Sequence, residues 1–416
     1  MDCPVLVGKF LSWNFLVKEV PHKIIYWQLP NATLFDTALL VNNVKKIVKE
    51  AVKLFDTIPY KNYTFLFQDG AYGALEHSTS VTIGLPSATY ERDIADINSE
   101  IAHEYFHTWN LVNLRPAQYS ELNFGPQEKA GGLWWSEGMS IFYSDLLLRR
   151  AKLATYDSTR IVHLEKLIER YFSNPGNAKI SPERSSLESN AQPGGLGDYY
   201  LSVHLQGEVL GAMLDFIVRD ATNGKRSIDD VMRKMFYRFP EAKGFYAKDI
   251  EQTVKDICDC DVNSFFQLHV YNASTLSFNQ YLGLIGKQVN VTWKPSLDES
   301  GKPSPDLDIF IYRRTGDTAF SIGITNPESC WGKAGLHTGD KVVSVNNLPV
   351  ANQTFRNIQR NLQVGDKVEF IINRNSEIIK IIVTVSGYNV SIARITPLKN
   401  ITPKQQKIFT DWNNLK

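Results

Sequence analysis

What this chain lacks narrows its class first. No run approaches the ~18 uninterrupted apolar residues of a spanning helix. Its first thirty residues fail as an export signal, because Asp2, Lys9, Lys18 and Glu19 interrupt the apolar run and no small-residue cleavage site follows. The expectation is a chain whose mature form begins here, or whose signal was removed upstream, in the cytoplasm or the periplasm. Charge of one sign is missing too. Lys plus Arg (45) balances Asp plus Glu (44) to a net charge of +1, which leaves no electrostatic footprint for nucleic acid or an acidic membrane surface. Cysteine is scarce: Cys3, Cys258, Cys260 and Cys330 form no CxxC pair and no disulfide framework. Cys258-Asp-Cys260 reads as two ordinary free thiols closing a helical pattern. Sequons such as Asn62-Tyr-Thr64 and Asn290-Val-Thr292 read as compositional, and no internal repeat is apparent.

What is present is ordinary for a globular chain: 43% apolar and 21% charged residues. At 416 residues, two or three domains are expected. Strand-like runs at 23–29 and 63–67 flank a stretch, 39–55, with apolar residues at helical spacing. Helical patterns dominate from 92 to 270, and Ser227-Ile-Asp-Asp230 reads as a capping box opening a helix that Pro240 ends. At 294–308 the composition turns to Pro, Ser, Gly and charge, a linker or exposed loop. Strand patterns return at 309–312, 341–345, 368–373 and 378–385.

The central signal lies in Ile94-Ala-Asp-Ile-Asn-Ser-Glu-Ile-Ala-His-Glu-Tyr-Phe-His-Thr-Trp-Asn110. Ile94, Ile97, Ile101 and Tyr105 mark the buried face of an amphipathic helix. His103 and His107, four apart, lie about 40° from one another on a helix, so both imidazoles reach one ion. Glu104 points aside from that pair, as suits a carboxylate that serves a water rather than the metal. A catalytic zinc needs a third protein ligand and one open position. Glu137, thirty positions after His107 in Leu133-Trp-Trp-Ser-Glu-Gly, supplies it from a second helix crossing the first. One Zn2+ per chain is expected.

These residues resemble a known family. His103-Glu-Tyr-Phe-His107-Thr-Trp-Asn110, Arg115-Pro116 and Trp134-Trp-Ser-Glu137-Gly138 look like the glycyl aminopeptidases among the gluzincins. Supporting likenesses are Tyr72-Gly-Ala-Leu-Glu-His77, Leu210-Gly-Ala-Met-Leu-Asp215 and Thr402-Pro-Lys-Gln-Gln406. The resemblance implies an α+β chain: a thermolysin-like catalytic domain (1–150), an all-helical domain (151–290), a linker (291–308), a small β-rich PDZ domain (309–390) and a tail (391–416). It also implies removal of amino-terminal, small or glycyl residues from peptides. Gly73-Ala74-Leu-Glu76 is similar to the exopeptidase motif of the wider aminopeptidase group, whose strand edge aligns the substrate backbone. There the glutamate, here Glu76, holds the free α-ammonium.

Two departures qualify that reading. Where the family has Tyr-x-Lys-Gly, its tyrosine donating to the oxyanion, this chain has His204-Leu-Gln206-Gly207. Either His204 replaces the phenol, or Tyr199 or Tyr200 near a helix spanning 199–220 supplies the hydroxyl. The family also carries a β-rich domain before the point matching Met1, so one wall of the cleft is expected to be missing. These departures keep two alternatives open: a peptide-binding scaffold with vestigial or structural zinc, and a PDZ-bearing endopeptidase. In the last module, Gly335-Leu-His-Thr-Gly-Asp340 resembles the PDZ core turn. Ser321-Ile322-Gly323-Ile324 resembles the loop that captures a peptide C-terminus and leads into the peptide-pairing strand.

Overall fold

A computed structural model describes residues 4–119, 129–154, 159–189, 193–241 and 243–415; Cys3 lies outside them. Strands β1 (Leu11–Val17) and β2 (Val20–Trp27) are joined by Lys18 and Glu19. Both turn residues have positive φ, 46° and 64°, which matches the right-handed twist of a two-residue hairpin. Helix α1 (Thr37–Phe55) starts where Asp36 accepts the Leu39 N–H at 2.9 Å, and it buries Leu40, Val44, Ile47 and Val48. Strands β3 (Tyr63–Gln68), β4 (Gly73–Glu76) and β5 (Ser80–Gly84) complete a sheet of order β1-β2-β3-β5-β4. β4 is thus an outer strand, as the resemblance implied.

Helices follow: α2 (Ser87–Arg92), α3 (Ile94–Phe106), α4 (Leu133–Arg150), α5 (Arg160–Ser173), α6 (Pro182–Leu187) and α7 (Val203–Ala221). Then come α8 (Ile228–Arg238), α9 (Ala247–Cys258), α10 (Asn263–Phe266) and α11 (Phe278–Leu282). The Ser227 N–H donates to Asp230 at 2.9 Å, closing the expected box. The α4–α7 crossing is set by glycine. A Cβ on Gly207 would lie 1.8 Å from the Trp134 carbonyl oxygen, and one on Gly138 would lie 2.2 Å from the Gly207 Cα. Only bare backbone allows that approach, and Glu137 and His204 sit beside it.

The remaining elements are β6 (Lys287–Pro295), β7 (Ile309–Tyr312), β8 (Ser321–Ile324), α12 (Cys330–Lys333), β9 (Lys341–Val345) and β10 (Leu348–Pro349). After them come α13 (Asn352–Asn361), β11 (Lys367–Arg374), β12 (Glu377–Thr384), β13 (Asn389–Pro397) and α14 (Pro403–Asn413). β7 to β12 form one sheet around their own core, with Ile322, Trp331, Leu336 and Phe370 at its centre. Strands and helices segregate along the chain, an α+β arrangement. No helix among the described residues is long and apolar enough to cross a membrane.

Several expectations are corrected. Residues 291–295 are strand, not linker, because β6 pairs with β13 from Lys287 to Pro295. The expected tail at 391–416 is packed structure over its described residues, 391–415: β13 runs to Pro397, and Ile408 and Trp412 of α14 are buried in the main core. Helix α7 starts at Val203, not Tyr199, since Ser202 caps it and the Tyr200 carbonyl is taken by Asn174 at 2.7 Å. Cys258 and Cys260 form a disulfide rather than free thiols. Asp259, left-handed at φ 48° and ψ 45°, turns the chain so that their Cα atoms lie 5.1 Å apart, within disulfide reach. Ser321–Ile324 is an interior strand, not a loop. It is buried, pairs with β7 along its length, and bonds to the Gly339–Asp340 backbone through Ile322 on the other side. No peptide can add to it without displacing β7.

Candidate metal centre

α3 and α4 pack side by side and bring the predicted ligands together. His103 and His107 lie one turn apart at the buried end of α3, and Glu137 projects from the first turns of α4. The two Nε2 atoms are 3.0 Å apart. Glu137 Oε2 lies 3.7 Å from the first and 3.4 Å from the second. A tetrahedral ion at ~2.0–2.1 Å from each donor requires donor separations of about 3.4 Å. The triangle of two imidazoles and a carboxylate fits that requirement.

The rings are prepared for such a role. His107 Nδ1 lies 3.0 Å from the Asn110 carbonyl oxygen, which only accepts, so Nδ1 carries the hydrogen and a neutral ring leaves Nε2 bare. Asn110 is itself anchored: its side-chain amide donates to the Ser136 carbonyl at 2.9 Å. Trp109 stacks on Phe55 with ring centroids 5.0 Å apart, fixing the end of α3 against α1.

The electrostatics favour a cation here. Burial alone would lower the His107 imidazole. The charge of Glu137 and their hydrogen bond outweigh it, with Glu76 and Glu104 adding, and hold His107 up to about 10. Burial lowers its neighbour His103 to about 4. Burial also opposes the charged form of Glu137, yet His107's charge and hydrogen bonds from all three nearby histidines hold its carboxyl well below the usual range. Surroundings that favour one buried proton favour a cation at the same place.

Glu104 stands beside the triangle, its Oε1 4.0 Å from His103 Nε2. Burial pushes its carboxyl up to about 8; His107 opposes, and Glu76, Glu137 and Glu100 add to the rise. Its Oε2 is buried with no hydrogen-bond partner. Carboxylate oxygens of Glu76 and Glu104 and a His107 nitrogen lie within 4.8 Å of one another, so the β4 edge reaches the same cleft. Gly73 and Ala74 precede Glu76 on that edge, Gly73 exposed at φ 96°.

His204, in the first turn of α7, places Nε2 3.1 Å from Glu137 Oε2, and its ring lies 5.6 Å from the His103 ring. Tyr199 and Tyr200 go elsewhere. The Tyr199 ring lies against Gly176, and Tyr200, 64% exposed, meets Phe310 edge to face. Ser321 to Ile324 lie in the separate β7–β12 module. Sequence reasoning missed Tyr119. Its hydroxyl is buried without a partner, and burial, then the Glu137 charge, raises its pKa. The tight turn after Pro116, with the Tyr119 N–H donating to the Pro116 carbonyl at 2.8 Å, sets its place, and no sequence spacing announces it.

Residues 97–209 match the model for the M61 glycyl aminopeptidase family. That segment holds His103, Glu104, His107, Glu137 and His204. The chain resembles the glycyl aminopeptidases. An aminopeptidase N family protein from Idiomarina loihiensis shares the fold: TM-score 0.69 and 20% identity, over 97% of this chain and 70% of that one. An M1 zinc metallopeptidase variant from Deinococcus radiodurans, bound to a Tyr-Ser-Ala substrate, aligns at TM-score 0.45 and 16% identity, over 65% of this chain and 53% of that one. No curated protein matches.

Proposed function

We propose that this chain is a zinc-dependent aminopeptidase, with His103, His107 and Glu137 as ligands and Glu104 as general base. The observation that carries the reading is the donor triangle of 3.0, 3.4 and 3.7 Å with the unpartnered Glu104 Oε2 beside it. Zinc held there supplies Lewis acidity to the scissile carbonyl and lowers the pKa of water. Glu104 takes the proton from the attacking water and returns it to the leaving amine. His204 donates a hydrogen bond to the oxygen where negative charge develops. Its Nε2, 3.1 Å from Glu137 Oε2, stands close enough to the donor triangle for that role. Glu76 pairs with the substrate's α-ammonium, which makes cleavage remove one residue at a time, and Gly73 and Ala74 align the substrate backbone. Preference for glycine or another small residue follows the family resemblance. The β7–β12 module is read as a PDZ domain. If it takes a peptide C-terminus, the peptide adds at β7, the outer strand next to β8, and competes with Gln359, whose amide donates to the Ile309 carbonyl at 2.9 Å.

The test pairs a free-amine peptide with its N-acetylated counterpart, at one measured zinc per chain. The free amine is cleaved at least ~10²-fold faster, and Glu76→Gln erases the difference. Faster cleavage of the acetylated peptide would establish an endopeptidase and remove Glu76 from its role.

A further inference from the structure

The C-terminal module reaches the catalytic side through a strap, residues 193–200, that runs directly into the helix carrying His204. The Thr338 N–H donates to Asp198 Oδ1 at 2.6 Å, and His337 Nδ1 lies 2.8 Å from Oδ2 of the same carboxylate. The Tyr200 N–H donates to the Thr325 carbonyl at 3.3 Å. Arg314 and the Tyr312 hydroxyl donate to the Pro193 carbonyl at 3.1 and 3.4 Å. Burial would raise the Asp198 carboxyl, but the bonds from His337 and Thr338 hold it below the usual range.

Both ends of this grip are fixed. On the module side the His337 N–H donates to Asp340 at 2.8 Å, and Arg374 donates to both Asp340 oxygens at 2.7 and 2.6 Å. On the helical side Asn174 holds the Tyr200 carbonyl, and Ser202 caps α7. His204 follows two residues later, 3.1 Å from Glu137.

We propose that Asp198, His337 and Thr338 form a latch by which the C-terminal module positions His204 at the metal centre. Asp198 and His337 are positioning residues; neither touches substrate. The catalytic half of this inference rests on the aminopeptidase reading above, and the structural half does not.

The experiment uses the full chain and compares wild type with Asp198→Ala, Asp198→Asn and His337→Ala. Amide hydrogen exchange across 199–206 is read together with zinc content and peptide hydrolysis. Asp198→Ala is expected to speed exchange at Tyr200 and Leu205 about tenfold or more, leaving the α4 amides unchanged. It lowers kcat by ~10²-fold with zinc still bound, because a displacement of about 1 Å near the reacting groups costs that much. Asp198→Asn, which keeps an acceptor for the Thr338 N–H, recovers part of both effects. Adding His337→Ala to Asp198→Ala costs nothing further. If Asp198→Ala does not fold, Asp198→Asn against His337→Ala gives the same comparison. Unchanged exchange at 199–206 overturns the latch, as does a kcat loss without any exchange change. A wild type that cleaves no peptide defeats the aminopeptidase reading alone, and the exchange arm still decides the latch.

Discussion

At the scale of single residues, each donor's role is set by what its other atoms do. His107 is held in one tautomer by the Asn110 backbone carbonyl, and the Asn110 side-chain amide, bonded to the Ser136 carbonyl, holds that backbone in place, so Asn110→Ala keeps the carbonyl but frees it to move. Zinc affinity should fall ~10–100-fold while the chain stays folded, as titration with a competing chelator would show. Affinity equal to wild type would mean that the Asn110 side-chain anchor is not needed to hold that carbonyl against the ligand. His204 lies 3.1 Å from Glu137, and the Glu137 charge reaches the buried Tyr119 hydroxyl. His204→Phe is expected to lower kcat by about 10²–10³ with little change in KM. Tyr119→Phe should leave the melting temperature unchanged, since the hydroxyl has no partner to lose. A loss of kcat in Tyr119→Phe as large as that in His204→Phe would assign oxyanion stabilisation to both. The approach of His103 and His107 was legible from the sequence because helical periodicity alone places positions four apart on one face. Tyr119 was not, since its approach depends on a turn rather than a period.

At the scale of elements, the close α4–α7 crossing decides whether Glu137 and His204 meet. Gly207→Ala places a methyl 1.8 Å from a backbone oxygen, and neither helix can yield without moving one of the two side chains. A destabilisation of about 3 kcal/mol, read from denaturant midpoints, should accompany loss of activity. An unaltered midpoint would mean that the helices have room to part. β2 supplies a pH-dependent counterpart outside the donor triangle. His22 is buried, stacked on Phe15 and 2.7 Å from the Tyr60 hydroxyl, and burial lowers its pKa to about 4. Unfolded, it titrates near its ordinary 6.5. This contribution is therefore fully present above pH 6.5 and is lost as pH falls towards 4. His22→Gln should flatten the fall of the urea midpoint across that window. A slope identical to wild type would assign acid lability to other groups. Most strands and helices could be read from periodicity. The start of α7 could not, because tertiary bonds take both the N–H and the carbonyl of Tyr200 and keep it out of the helix.

At the scale of the whole molecule, a β sheet with an outer strand and a helical body converge on one cleft, and a second β core is bonded to the strap that leads into α7. The sequence showed the order of these parts and misjudged how they join. β6 and β13 look like linker and tail because their partners lie about a hundred residues apart, which no local pattern reveals. The Cys258–Cys260 bridge depends on one left-handed residue, Asp259. Ser321–Ile324 was misread for a similar reason, because a strand's place in a sheet depends on partners distant in sequence. The account stands on Glu104 acting beside a metal held by His103, His107 and Glu137. Its most direct test is hydrolysis of a glycyl nitroanilide by wild type and Glu104→Gln, each at one measured zinc per chain. The prediction is a fall in kcat of about 10³ or more with zinc retained. Equal turnover by the two proteins at equal zinc would contradict it.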